Sequence, residues 1–279
     1  MNILSEQASQ WRDLFLSTNS VVKITVFFLI WAIAWCPIGV AIAIVRKWLT
    51  TEQTKIQQKL LMVSSLYILA PPMVWIAAKI EGASFLDYGL VWRSSLSISV
   101  VWGLGLGIVG LIASFAIQSL FGWIEWHWQN IQQLRAILFP ILLLGLGIGF
   151  IEELVFRGFL LNELQLNYSY WLAAIISSLI FAFGHLIWER KETIPQLPGL
   201  WLLGIVLVLA RLADRGSLGL AWGLHAGWIW GLSCLDSAQL VSYNEKYSPL
   251  LTGINKQPLA GVAGILCLLG TGAILYFFV

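Results

Sequence analysis

Residues 149–158 read Gly-Phe-Ile-Glu-Glu-Leu-Val-Phe-Arg-Gly, which puts Glu152, Glu153 and Arg157 inside a segment, 136–164, that is otherwise largely apolar. A charge at the centre of a bilayer costs roughly 2.5–3.5 kcal/mol on insertion scales, so three charges in six residues require compensation. Helical geometry divides the labour between them. At about 100° per residue, Glu153 and Arg157 are i, i+4 neighbours able to pair, whereas Glu152 points about 140° away from Arg157. The expectation is one paired carboxylate and one free.

The rest of the chain explains why these charges sit in lipid. Of 279 residues, 59% are hydrophobic and 11% charged, and the mean hydropathy is +0.83. Those values lie outside the soluble globular range and describe an all-α, polytopic membrane protein. A net charge of +2 with no long basic cluster argues against a nucleic-acid partner. Cys36, Cys234 and Cys267 lie in apolar segments without CxxC spacing and read as packing residues.

Eight spans are expected in one bundle. Residues 1–20, with Glu6, Trp11, Arg12 and Asp13, read as an interfacial arm, and residues 21–279 as a single transmembrane domain. The spans run over 21–45, 60–80, 95–121, 136–164, 168–188, 199–213, 218–235 and 259–279. Pro71-Pro72 in the second predicts a kink or interruption that is tolerable only where protein buries it. The third carries Gly103, Gly105, Gly107 and Gly110, and the seventh has glycine at every fourth position from Gly219 to Gly231. Such tracks let helix backbones approach closely. Trp123, Trp126, His127 and Trp128 form a headgroup-depth loop. The larger share of Lys and Arg lies in the loops after spans one, three, five and seven, which places the N-terminus outside.

Two of the three histidines, His185 and His225, fall within spans. Counting ~1.5 Å per residue from the turn at Asn167, Glu152 lies about 22 Å back and His185 about 27 Å forward, at similar depth. His225 projects away from the glycine face, nearer mid-depth. A carboxylate and two imidazoles facing one cavity are the parts of a metal-assisted or carboxylate-assisted hydrolase. Glu152, His185 and His225 are therefore also candidate ligands for a divalent ion such as zinc. No HExxH is present.

These residues resemble a known family. Glu152-Glu153-x-x-x-Arg157 is similar to the E-E-x-x-x-R signature of the CPBP group, the CAAX-protease and bacteriocin-processing family of intramembrane proteases. Phe181-x-x-x-His185 matches its second motif, and His225 stands where the third begins, so the resemblance covers about 136–236. It implies a helical membrane endopeptidase in which Glu152 activates water with His185 while His225 helps hold the oxyanion. Glu153 and Arg157 belong to the same motif. The implied partners are membrane lipid and a membrane-associated peptide, prenylated in the CAAX-type members. The implied location is a bacterial plasma membrane or a thylakoid-type organellar one. The third motif departs from the family at Ile229, where a polar residue is usual; the Trp228 indole N–H is a substitute oxyanion donor. A non-catalytic bacteriocin-immunity or scaffold protein of the same fold is the alternative. A proton-coupled transporter is a third reading, disfavoured by the lack of paired broken helices.

Overall fold

A computed structural model describes residues 10, 12–46, 52–91, 94–187 and 190–279. Eight principal helices are present among them: α1 (Ser20–Arg46), α2 (Glu52–Glu81), α3 (Ser94–Leu120), α4 (Ile131–Glu152), α5 (Tyr170–Gly184), α6 (Leu197–Ala213), α7 (Gly219–Ser237) and α8 (Val262–Tyr276). The chain is an all-α, multi-pass integral membrane protein. A small sheet pairs β1 (Ile124–Trp126) antiparallel to β2 (Val241–Tyr243). The tryptophan-rich loop thus becomes a hairpin-like clasp between the ends of α3 and α7. Of the expected arm, Glu6 and Trp11 lie outside the described residues, while Arg12 donates through Nε to the Ile80 carbonyl at 2.9 Å.

Among the described residues, six helical segments are long and apolar enough to cross a membrane by length and composition. The expectation of eight spans is therefore approximate. The two that fall short have different reasons. The apolar helix α8 is only 15 residues long. Helix α7 has 19 residues, but glycine, tryptophan and His225 dilute its hydropathy, and much of it faces protein rather than lipid, including Leu224, His225 and Trp228.

Glycine places α7 at the centre. A side chain at Gly223 would collide with the Val100 carbonyl on α3, and one at Gly227 would lie 2.8 Å from the Leu104 carbonyl. On its other flank, a Cβ at Gly149 of α4 would lie 3.2 Å from the Ala226 nitrogen. Backbones that approach this closely gain van der Waals contact that larger residues would forbid. Two α7 indoles complete the seam: Trp222 and Trp230 donate to the carbonyls of Leu146 and Leu138, each at 2.8 Å.

The first two helices pack on the outside of this core. Phe27 and Trp31 of α1 and Ala70, Val74 and Ala78 of α2 are buried, the last three at helical spacing. Lys23 on α1 is tied to Glu163 by an ion pair of 3.1 Å in which both side chains are almost fully buried. The Pro71-Pro72 pair does not break α2, and Pro72 is exposed rather than enclosed by protein. This corrects the expected buried interruption. Only one stripe of α2 meets the bundle, so the prolines' missing donors fall beside the packed face rather than within it.

Candidate active site

Regular α-helix ends at Glu152. From Glu153 to Leu160 the chain forms a π-helical stretch before α-helix resumes at Leu161–Gln165. Widening the turn changes which backbone groups pair, and such insertions are frequent at functional sites. Side chains take up the altered carbonyls: Ser177 Oγ donates to Phe156 O at 2.8 Å, and Arg211 Nη1 donates to Arg157 O. Arg211 also donates to Asn162 Oδ1 at 2.9 Å and, through Nε, to Gly216 O at 3.0 Å. Asn162 in turn reaches the Asp87 carbonyl at 2.6 Å. In that loop, Ser84 donates to Asp87 through both hydroxyl and backbone, holding the Asp87 carboxyl below its usual range.

The expected ion pair is present. Arg157 Nη1 lies 3.0 Å from Glu153 Oε1, with neither side chain exposed. Its Nη2 donates to Gly204 O at 3.2 Å, and the guanidinium stacks over Phe181, 4.3 Å from the ring centroid. Glu153 does more than pair with arginine, because the same Oε1 also accepts from His225 Nδ1 at 2.9 Å. The other ring nitrogen, His225 Nε2, lies 3.5 Å from Glu152 Oε2. One imidazole thus bridges the two carboxylates, with its Nδ1 fixed by a partner as in oriented catalytic histidines.

Glu152 is not free, which corrects the sequence expectation. Its Oε1 accepts a hydrogen bond from the Tyr67 hydroxyl on α2. Glu152 lacks only a cation of its own. Tyr67 is a residue that sequence reasoning missed; the available signal was a phenol inside an apolar run, one helical turn before Pro71.

His185 sits just past the regular end of α5, in a short 3-10 turn. Its Nδ1 bonds the Phe181 carbonyl at 2.9 Å, and its ring packs edge-on against Phe181 at 4.7 Å. Phe181 also lies 5.8 Å from His225. The first and last residues of that motif are therefore joined locally, and the buried phenylalanine spaces the two histidines and the arginine.

Glu152 and His185 line one pocket of about 100 Å³ together with Tyr67 and Phe181. His185 also borders a second cavity of about 250 Å³, shared with His225, Trp228 and Ile229. Trp228 and Ile229 are placed on that second side, and neither lines the Glu152 pocket. Among the described residues, no group of three or more His, Cys, Asp or Glu side chains is arranged to hold a metal ion. Glu152 and His185 meet at the first pocket, and His185 and His225 at the second.

Comparison with known proteins agrees with the motifs. A curated Escherichia coli protein described as an uncharacterized 24.3 kDa protein is 35% identical over 69 residues. The match covers 24% of this chain and spans 30% of that relative's length. No solved structure matches. Residues 134–231 match the family model described as type II CAAX prenyl endopeptidase Rce1-like. That segment, about a third of the chain, contains both glutamates, Arg157, His185 and His225, and is similar to the Rce1-like type II CAAX prenyl endopeptidases.

Proposed function

We propose that the protein is an intramembrane endopeptidase that hydrolyses peptide bonds of membrane-associated substrates, CAAX-type prenylated peptides among them. The observation that carries this reading is the His225 ring set between Glu152 and Glu153 beside a pocket that Glu152 shares with His185. The host membrane is a bacterial plasma membrane or a thylakoid-type one.

The proposed chemistry follows from the partners of each group. Glu152 takes a proton from a water in the pocket as that water's oxygen attacks the carbonyl carbon. The Tyr67 hydroxyl holds the carboxylate in orientation for this step. His185, steadied through Nδ1 by the Phe181 carbonyl, orients the water from the opposite wall. His225, held through Nδ1 by Glu153, turns an Nε2–H to the developing oxyanion. When the C–N bond breaks, the proton held on Glu152 passes to the departing amide nitrogen, and the carboxylate is restored. Arg157 offsets the charge of Glu153 so that this second carboxylate can remain buried.

The test is hydrolysis of fluorogenic peptides, farnesylated and plain, by the full-length protein in proteoliposomes. Glu152→Gln should abolish turnover, and wild-type protein that cleaves neither peptide would overturn the proposal. That outcome would favour a non-catalytic immunity or scaffold role, for which the apolar Ile229 beside His225 in the larger cavity is the supporting observation.

A further inference from the structure

The second cavity, bordered by His185 and His225 but not by Glu152, encloses about 250 Å³, close to the lower end of ligand-sized pockets. Its walls are largely aliphatic and aromatic, including Leu111, Leu200 and Trp228, and Gln118 on α3 also lines it. Gln118 is 3% exposed, yet its Oε1 has no hydrogen-bond partner. Its Nε2 makes only long contacts of 3.4 Å to the Ser114 carbonyl and hydroxyl. A buried acceptor without a partner costs stability, so its retention beside a cavity points to an occupant that supplies a donor.

Position gives the length of that occupant. Gly107 of α3 packs against Leu224 and Gly227, the level of His225 on α7. Gln118 lies eleven residues further along the same helix, about 16 Å at the α-helical rise. An extended peptide covers that distance in four or five residues. Chemistry gives its class. A pure hydrocarbon chain filling the cavity would expel water and leave the Gln118 oxygen unsatisfied, whereas a peptide with apolar side chains buries its side chains and offers a backbone N–H.

We propose that this chamber holds the apolar residues on one side of the scissile bond, and that Gln118 Oε1 accepts a hydrogen bond from their backbone. Gln118 is on this reading a specificity-determining residue for a peptidic rather than a purely hydrocarbon occupant. The proposal rests on the endopeptidase reading, but its test measures binding and not turnover.

Full-length protein carrying Glu152→Gln is titrated in detergent with a dansyl-labelled Leu-Leu-Val-Leu amide and with the same peptide N-methylated at its amides. Fluorescence anisotropy reads Kd. N-methylation should weaken binding about tenfold, the scale of one buried neutral hydrogen bond. Adding Gln118→Leu should weaken the parent peptide by the same factor while leaving the N-methylated peptide unaffected. Leu232→Trp, which puts an indole into the chamber from α7 and leaves Gln118 in place, should abolish binding of both. The inference is overturned if the parent peptide does not bind, if Gln118→Leu alters both peptides equally or neither, or if folded Leu232→Trp binds unchanged. It is likewise overturned if farnesol displaces the peptide with higher affinity than the peptide itself. Binding that depends on Gln118, in a wild-type protein that cleaves nothing, would refute the endopeptidase reading while leaving Gln118 as the acceptor for a bound peptide's backbone.

Discussion

The two adjacent glutamates should respond in opposite ways to mutation, and the sizes follow from what each removal strands. Glu153→Ala takes away a fully buried carboxylate whose Oε1 serves both Arg157 at 3.0 Å and His225 at 2.9 Å. The guanidinium left behind is also fully buried, and its Nε already has no partner. Its remaining contacts, one carbonyl at 3.2 Å and the Phe181 face, are neutral. Breaking a buried pair by removing one member typically costs ~3–5 kcal/mol, which corresponds to a fall in Tm on the order of 10 °C for a chain of this size. Glu152→Gln strands no such cation. It keeps a group able to meet the Tyr67 hydroxyl, and its contact with His225 Nε2 is already long at 3.5 Å. A loss of less than about 1 kcal/mol is expected, as for an ordinary neutral hydrogen bond, together with complete loss of turnover. Thermal melting in detergent followed by tryptophan fluorescence, run beside the peptide assay, measures both effects. If Glu153→Ala melted with the wild type while Glu152→Gln unfolded early, the assignment of one carboxylate to structure and the other to chemistry would be wrong.

Tyr67→Phe removes the hydroxyl that orients Glu152 and should lower kcat by about tenfold with little change in KM, read by steady-state kinetics; an unchanged kcat would remove Tyr67 from the site. Trp228→Phe deletes an indole donor in the cavity that His225 also lines; if that indole serves the oxyanion in place of the family's polar residue, turnover falls at least ~10-fold and Ile229→Asn, one helical turn from His225, restores it. Full activity in Trp228→Phe would end the indole's candidacy. Gly223→Leu must push α7 off α3, since even a Cβ collides with the Val100 carbonyl, and should abolish the folded peak in size-exclusion chromatography. Chelation of divalent metal should leave hydrolysis unchanged on the glutamate-and-water route; loss of activity that zinc restores would recast Glu152, His185 and His225 as ligands.

Much of this protein was legible before folding because short-range helix geometry fixes it. The Glu153–Arg157 pair follows from a spacing of four residues, and the closeness of α3, α4 and α7 follows from their glycines, whose missing side chains act wherever the helices meet. The link between Phe181 and His185 is likewise local, a ring nitrogen bonding a carbonyl one turn back. What sequence could not show depends on how helices are rotated and shifted against one another. Tyr67 and Glu152 are 85 residues apart, and no periodicity in either helix specifies that a phenol on the outer hairpin meets that carboxylate. His225 bridging both glutamates also requires the widened turn after Glu152 and the close packing of Gly149 on Ala226. Even Pro72 was misjudged for this reason, since its lack of a donor is a property of the residue but the side of α2 that meets the bundle is not. Hydropathy and spacing determined that charges lie in a helical membrane bundle and which two of them pair. Only the packed side chains decided what meets those carboxylates, Tyr67 at Glu152 and His225 between the two, because that depends on the register between helices, which is settled by many small contacts acting together.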